Sequence, residues 1–300
     1  MESWLEVEMT AIPGEIVQAV KDKKCILFLG AMASAPTPPG CKYEYRNTPP
    51  NGSELSRQLA SVSGYPDPDI TNLQRVSLHY QFRPNGSRES LVAAIKERVA
   101  ARGIVPSPAL HMLAALPFPI IITTNYDHLF DQALRQAKTV SDNTLKDPIV
   151  LVYDPDLKKV PDFAPLDPTE EKAVLVKLHG DIDRPQSIVI TEEDYLVFIH
   201  KMSDKDHHPL HDNLRSRINN WRVLFVGYSL KDYNLRLLFR TLRWHVDVAN
   251  IPLSFSVDPQ PDNLIVSVWQ TRDKPMVSFI RADLWDFVPA LYEACLGRPY

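Results

Sequence analysis

Four short stretches place glycine, amide, carboxylate, hydroxyl or imidazole groups directly after an apolar run: "FLGAMAS" (28–34), "TTNYD" (123–127), "VLVKLHGDID" (174–183) and "FVGYSLKD" (225–232). The imidazole of His179 can take a proton from a hydroxyl or a water near neutral pH, a contribution of roughly 10² to 10⁴ in rate where it operates. The bland alternative is a structural histidine at a strand end. Asn125 offers a donor and an acceptor in fixed geometry, suited to a ribose hydroxyl or a water. Asp127 adds a carboxylate two residues on, and the pair could equally cap the next helix. Gly30, followed by Ala31 and Met32, is the first glycine of a G-x-G pattern that lacks its second. A glycine there lets backbone amides approach a pyrophosphate, or is an ordinary strand-to-loop glycine. Gly227 and Ser229 suit a phosphate or ribose contact, or a turn leading into a helix at Asp232. His207, His208 and His211 hint at metal by spacing, but Pro209 marks a helix start that leaves His207 outside, and no Cys or carboxylate pair completes a set. No metal is expected.

Such groups act together only if the fold brings them together. "CILFL" (25–29) and the apolar runs before Thr124, His179 and Gly227 read as strands buried on both faces, and "PLSFSVDP" and "PMVSFIRAD" add two more. Six strands separated by helices predict an α/β fold, a Rossmann-like doubly wound parallel sheet. In open sheets of this kind ligands sit outside the carboxyl ends of the strands, so Gly30 to Ser34, Thr124 to Asp127, His179 to Asp181 and Gly227 to Leu230 can converge on one crevice. A crevice-facing His179 is not core packing, so its removal is expected to leave stability nearly unchanged. Helical periodicity is read over residues 14–24, 53–62 and 87–102, and five prolines make residues 35–51 a loop. The expected organisation is a single domain over residues 1–300, with a helical insertion at about 52–118 after the first strand and a smaller one at about 195–220.

The chain has 300 residues, 44% of them hydrophobic and 23% charged, an ordinary globular composition. A net charge of −4 with no basic patch argues against direct nucleic-acid binding. Cys25, Cys41 and Cys295 are far apart and never in C-x-x-C spacing, which argues against a disulfide framework and a structural zinc. No apolar run reaches the roughly 18 residues of a membrane span, and the N-terminus is acidic where a signal peptide would be basic. A cytoplasmic protein is expected.

The order and spacing of Gly-Ala-x-x-Ser, Thr-x-Asn-x-Asp, Leu-His-Gly-Asp and Gly-Tyr-Ser-Leu, each after an apolar strand, resembles the sirtuin-like NAD hydrolase domains of bacterial antiphage defence. "PPNGSEL" (49–55) and the T-x-x-D-Y of Thr191 to Tyr195 extend the resemblance, which runs from about Pro13 to Leu296. It implies cleavage of the nicotinamide–ribose bond, with NAD as substrate. Classical sirtuins also carry a four-cysteine zinc module beside the peptide channel, and this chain has only three cysteines, so protein deacylation is not expected. It assigns Asn125 to the nicotinamide ribose and the attacking water, His179 to the base and Asp127 to the nicotinamide end. Gly30, Ala31 and Ser34 would line the pyrophosphate, Gly227 and Ser229 the adenosine-side ribose and phosphate, and Thr124 is a further binding residue. Met32 departs from the pattern, standing where the family has its second glycine.

A toxic NAD-depleting effector must be silent until infection. The catalytic domain takes up most of the chain, so sensing is expected in trans, from a homo-oligomer or a protein partner such as a defence-system ATPase, an Argonaute-like or a nucleotide-sensing protein. The alternatives are a catalytically weak regulatory subunit that binds NAD or ADP-ribose, and a purely structural interaction protein, which would have no reason to place polar groups at four strand ends.

Overall fold

Strand residues alternate between two apolar layers. Cys25, Leu27 and Leu29 face one buried cluster, while Ile26 and Phe28 face another. This two-sided burial is what a parallel sheet covered by helices on both faces requires. The computed structural model describes residues 6–8, 12–155, 167–204, 210–231, 236–237, 239, 251–269 and 275–300. Among them the strands are β1 (Glu6–Glu8), β2 (Cys25–Leu29), β3 (Ile120–Thr123), β4 (Ile149–Val152), β5 (Val174–Lys177), β6 (Arg222–Val226), β7 (Ser254–Val257) and β8 (Val277–Arg281). All pair in parallel, in the order β1-β8-β7-β6-β2-β3-β5-β4. The α/β doubly wound sheet therefore stands, with two strands more than the apolar runs suggested. β1 is three residues long with two glutamates and carries little apolar signal, whereas β4 is the apolar run IVLV, passed over in the sequence, and forms an edge strand of half-buried residues.

One face is covered by α1 (Gly14–Lys21), α5 (Pro108–Ala115), α6 (Leu129–Gln136) and α10 (Leu284–Leu296). The other carries α7 (Glu192–Ser203), α8 (Asp212–Asn220) and α9 (Asn263–Trp269). Helix α1 stops at Lys21 rather than residue 24, because Lys23 adopts a left-handed conformation (φ 59°). Helices α7 and α8 span the region expected as a smaller insertion. Phe198, Met202, Leu214 and Ile218 share the core of Ile26 and Phe28, so these helices form part of the sheet's cover.

Between β2 and β3 come α2 (Gly52–Ser63), α3 (Leu73–Phe82) and α4 (Arg88–Val99), with a core of their own that includes Leu55, Leu59, Val76, Leu91 and Ile95. That core also takes in Ile182, Ile188 and Ile190, from the segment that follows His179. Helix α5, within the span read as the insertion, packs instead under the sheet. The helices follow Cys25–Leu29, the strand read first in the sequence, which the short β1 makes the second of the described strands. No described helix is long and apolar enough to cross a membrane.

Candidate functional site

The sheet grows from β2 to β3 on one side and, after the chain returns, from β6 to β7 and β8 on the other, so the loops after β2 and β6 lie side by side at the topological switch. Their approach is too close for side chains. A Cβ on Gly30 would sit 2.4 Å from the Gly227 carbonyl oxygen, and one on Gly227 would sit 2.1 Å from the Ala33 nitrogen. Gly227 also takes a left-handed φ of 77°. The Met32 N–H donates to the Gly227 carbonyl at 3.2 Å and fastens the two loops. Residues Ala31–Ser34 form a single 3₁₀ turn, and the proline-rich stretch follows at once.

Above these loops is a cavity of about 770 Å³, within the range typical of ligand pockets. It is lined by Ala31 and Met32 from the loop after β2, Thr124 to Asp127 from the loop after β3, His179 after β5, and Gly227 to Ser229 after β6. Residues of the insertion close the far wall, Arg57 among them. Seven of the nine residues singled out in the sequence thus line one cavity: Ala31, Thr124, Asn125, Asp127, His179, Gly227 and Ser229. Gly30 and Ser34 do not; both are buried behind it. Arg57 and Lys231 place two cations on the wall, and Asp127 is the one carboxylate among the described lining residues.

His179 is 7% exposed, with its ring edge-on to Tyr195 and Phe198 at centroid separations of 5.1 and 5.2 Å. Burial pushes its pKa down to about 3, so the imidazole is neutral throughout the physiological range. Its Nδ1 lies 3.4 Å from the Tyr195 hydroxyl. The ring is both cavity wall and core packing, which corrects the expectation that it could be removed without loss of stability. Gly180 follows with φ 87°, and a Cβ there would meet the Ser187 carbonyl at 2.1 Å, so the turn beneath the histidine admits only glycine.

The loop after β3 carries both kinds of role. Asn125 Nδ2 donates to the Gly30 carbonyl at 3.2 Å, tying this loop to the one after β2. Asp127 accepts the Leu129 N–H at 2.9 Å, the capping contact, and burial raises its pKa against the pull of that bond and of Lys177 and His128. The Thr124 and Tyr228 hydroxyls share a short hydrogen bond across the cavity wall. Met32 is 46% exposed on the same wall.

Two of the recurrent motifs turn out to be capping boxes. Asn51 accepts from the Glu54 N–H while Glu54 accepts from Asn51, and Thr191 and Asp194 do the same for α7. Asp194 also pairs with Arg88 of α4 at 2.7 Å, and Arg88 donates to the Ile188 carbonyl, so the insertion is clamped to the segment following His179. Sequence reasoning passed over Tyr195 and Tyr228 as lining residues; both lie inside the quoted motifs, beside the residues chosen. His207, His208 and Asp232 lie outside the described residues. His211 uses Nδ1 to accept the Asn213 N–H at the start of α8. His128, Asp181 and Asp183 bring ligand-type atoms together, but Asp181 is already held by Lys177 at 2.6 Å and His128 at 2.9 Å, which makes the group an ion-pair network. Hydrogen bonds from these partners hold the Asp181 carboxyl well below the usual carboxylate range, against the upward push of burial.

Residues 119–273, which carry three of the four cavity loops, match the family described as the SIR2-like domain. The chain belongs to the SIR2-like domain family. Among curated relatives of this SIR2-like chain, "NAD(+) hydrolase ThsA" of Enterococcus faecium is 29% identical over 191 residues, 64% of this chain and 36% of that protein. "NAD(+) hydrolase ThsA" of Acinetobacter baumannii (strain 532279) is 26% identical over 247 residues, 81% of this chain and 44% of that protein. "Defense-associated sirtuin 2" of Bacillus subtilis is 29% identical over 147 residues, covering 47% and 12% respectively. The SIR2-like chain therefore spans less than half the length of these relatives.

Proposed function

We propose that this SIR2-like domain cleaves the nicotinamide–ribose bond of NAD, releasing nicotinamide and ADP-ribose, and acts as an NAD-depleting effector in antiviral defence. The observation that carries the reading is the convergence of Asn125, Asp127 and a neutral, buried His179 on one cavity at the switch point of the sheet. The names of the curated relatives support it.

Nicotinamide leaves a pyridinium-type bond as a neutral molecule, so the leaving group needs no proton. Positive charge passes to the ribose, where the Asp127 carboxylate can stabilise it in a low-dielectric wall. Water adding to such a cation becomes far more acidic than bulk water, and a weak base suffices to take its proton. His179, held neutral by burial, fits that role. Asn125 orients the ribose and the water once its amide leaves Gly30. Thr124, Ala31, Gly227 and Ser229 contact the remainder of the dinucleotide, and Gly30 and Ser34 act from behind the wall. Activation comes from a protein partner or from oligomerisation.

A regulatory subunit that binds NAD or ADP-ribose without cleaving it is the second reading, favoured by the Asn125 contact to Gly30 and by Met32 on the cavity wall. Nicotinamide release from NAD, measured beside His179→Phe and with co-purified native partners, separates the two. Release lost in the variant supports the hydrolase. NAD binding with no release in any preparation refutes it.

A further inference from the structure

Lys177 is the last residue of β5, 1% exposed among apolar side chains. A buried ammonium needs partners for all three of its donors. Its Nζ donates to the Tyr126 carbonyl at 2.9 Å, the Asp127 carbonyl at 2.8 Å and Asp181 Oδ2 at 2.6 Å. The first two acceptors belong to the loop that bears Asn125 and Asp127, and the third lies two residues beyond His179. One side chain thus spans the two loops that carry the three groups assigned to the chemistry. The Ile182 N–H adds a second bond to the Tyr126 carbonyl at 3.1 Å, and the Asp127 backbone carbonyl takes its bond from Lys177. Asp181 is kept in place from its other side by His128 and the Asp183 N–H, both at 2.9 Å.

We propose that Lys177 is a positioning residue, which holds the Asn125–Asp127 loop at a fixed distance from His179 through the backbone carbonyls of Tyr126 and Asp127. The proposal rests on the hydrolase reading for its kinetic consequence but not for its structural one. A lysine that merely neutralises Asp181 would be dispensable once that charge is removed. One that holds the loop would not.

The test compares Lys177→Met with the double variant Lys177→Met/Asp181→Asn. The single variant leaves a buried carboxylate without its cation and is expected to be destabilised. The double variant removes that charge and should recover most of the thermal midpoint, yet its kcat for NAD should stay down by about 100-fold, with KM within about threefold, because a misplacement of about 1 Å has effects of that order. Crystal structures of the wild type and the double variant read the positions of residues 124–128 without substrate, and a displaced loop is expected. Turnover restored along with stability, or a loop left in place, overturns the proposal. A wild-type protein that never cleaves NAD would refute the hydrolase reading instead, and the pair of crystal structures would still decide the role of Lys177.

Discussion

Replacing His179 separates its two roles. The ring is 7% exposed and meets Tyr195 and Phe198 edge-to-face, at interplanar angles of 84° and 89°. Each such contact contributes about 0.5–1.5 kcal/mol beyond burial. Truncating a larger buried aromatic residue to alanine costs about 3–5 kcal/mol, so the smaller imidazole sets His179→Ala at about 2–3 kcal/mol. For a chain of this length that lowers the thermal midpoint by about 5 °C. His179→Phe keeps both ring contacts and removes both nitrogens, and its midpoint should fall within about 2 °C of the wild type. Turnover should be lost in both. Calorimetry alongside nicotinamide release reads the two effects in the same samples. A His179→Ala protein as stable as the wild type would show that the packing argument is wrong, and a His179→Phe protein that still cleaves NAD would remove His179 from the chemistry.

Gly227→Ala places a Cβ 2.1 Å from the Ala33 nitrogen at a left-handed φ and should destabilise by about 3 kcal/mol or more, read by chemical denaturation; a neutral effect would contradict the close packing of the two loops. Arg88→Ala frees Asp194 and the Ile188 carbonyl, and should cost about 2 kcal/mol and raise hydrogen exchange across α4 and α7, whereas unchanged exchange would mean the insertion is held without the Arg88 clamp. The folded pKa of His179, about 3, lies below its unfolded value, so its neutral form stabilises the fold above about pH 6.5 and that stability is lost as pH falls towards 3. Between pH 7.5 and 5 the wild type should therefore lose more thermal stability than His179→Phe, and equal losses would place the imidazole in water. For the same reason the activity profile should show no acid limb centred near pH 6.5.

The sheet was legible wherever strands are buried on both faces, because apolar runs such as Ile120–Thr123 and Arg222–Val226 have no other reading of that length. β1 escaped as too short and polar, while β4 was passed over although its run IVLV is as apolar as that of β3. α3 was not read because only Val76, Ser77 and Tyr80 of it are buried. At the site, residue types at strand ends pointed to four loops that line one cavity, those after β2, β3, β5 and β6. Sequence could not tell lining residues from those behind them. Gly30 is required by its approach to Gly227, and the Thr191–Asp194 pattern reflects a helix cap; both are contacts across space or along the backbone that residue identity does not announce. Lys177 was invisible for the same reason, since its partners come from two loops, one of them about fifty residues away.

The most direct measurement is a crystal structure with ADP-ribose bound. The expected result is the nucleotide in the cavity between Met32, Asn125, His179 and Ser229, with its terminal ribose within hydrogen-bond reach of His179 and the Asn125 amide turned away from Gly30. Nucleotide bound elsewhere on the chain, or a ribose held remote from His179, would contradict it.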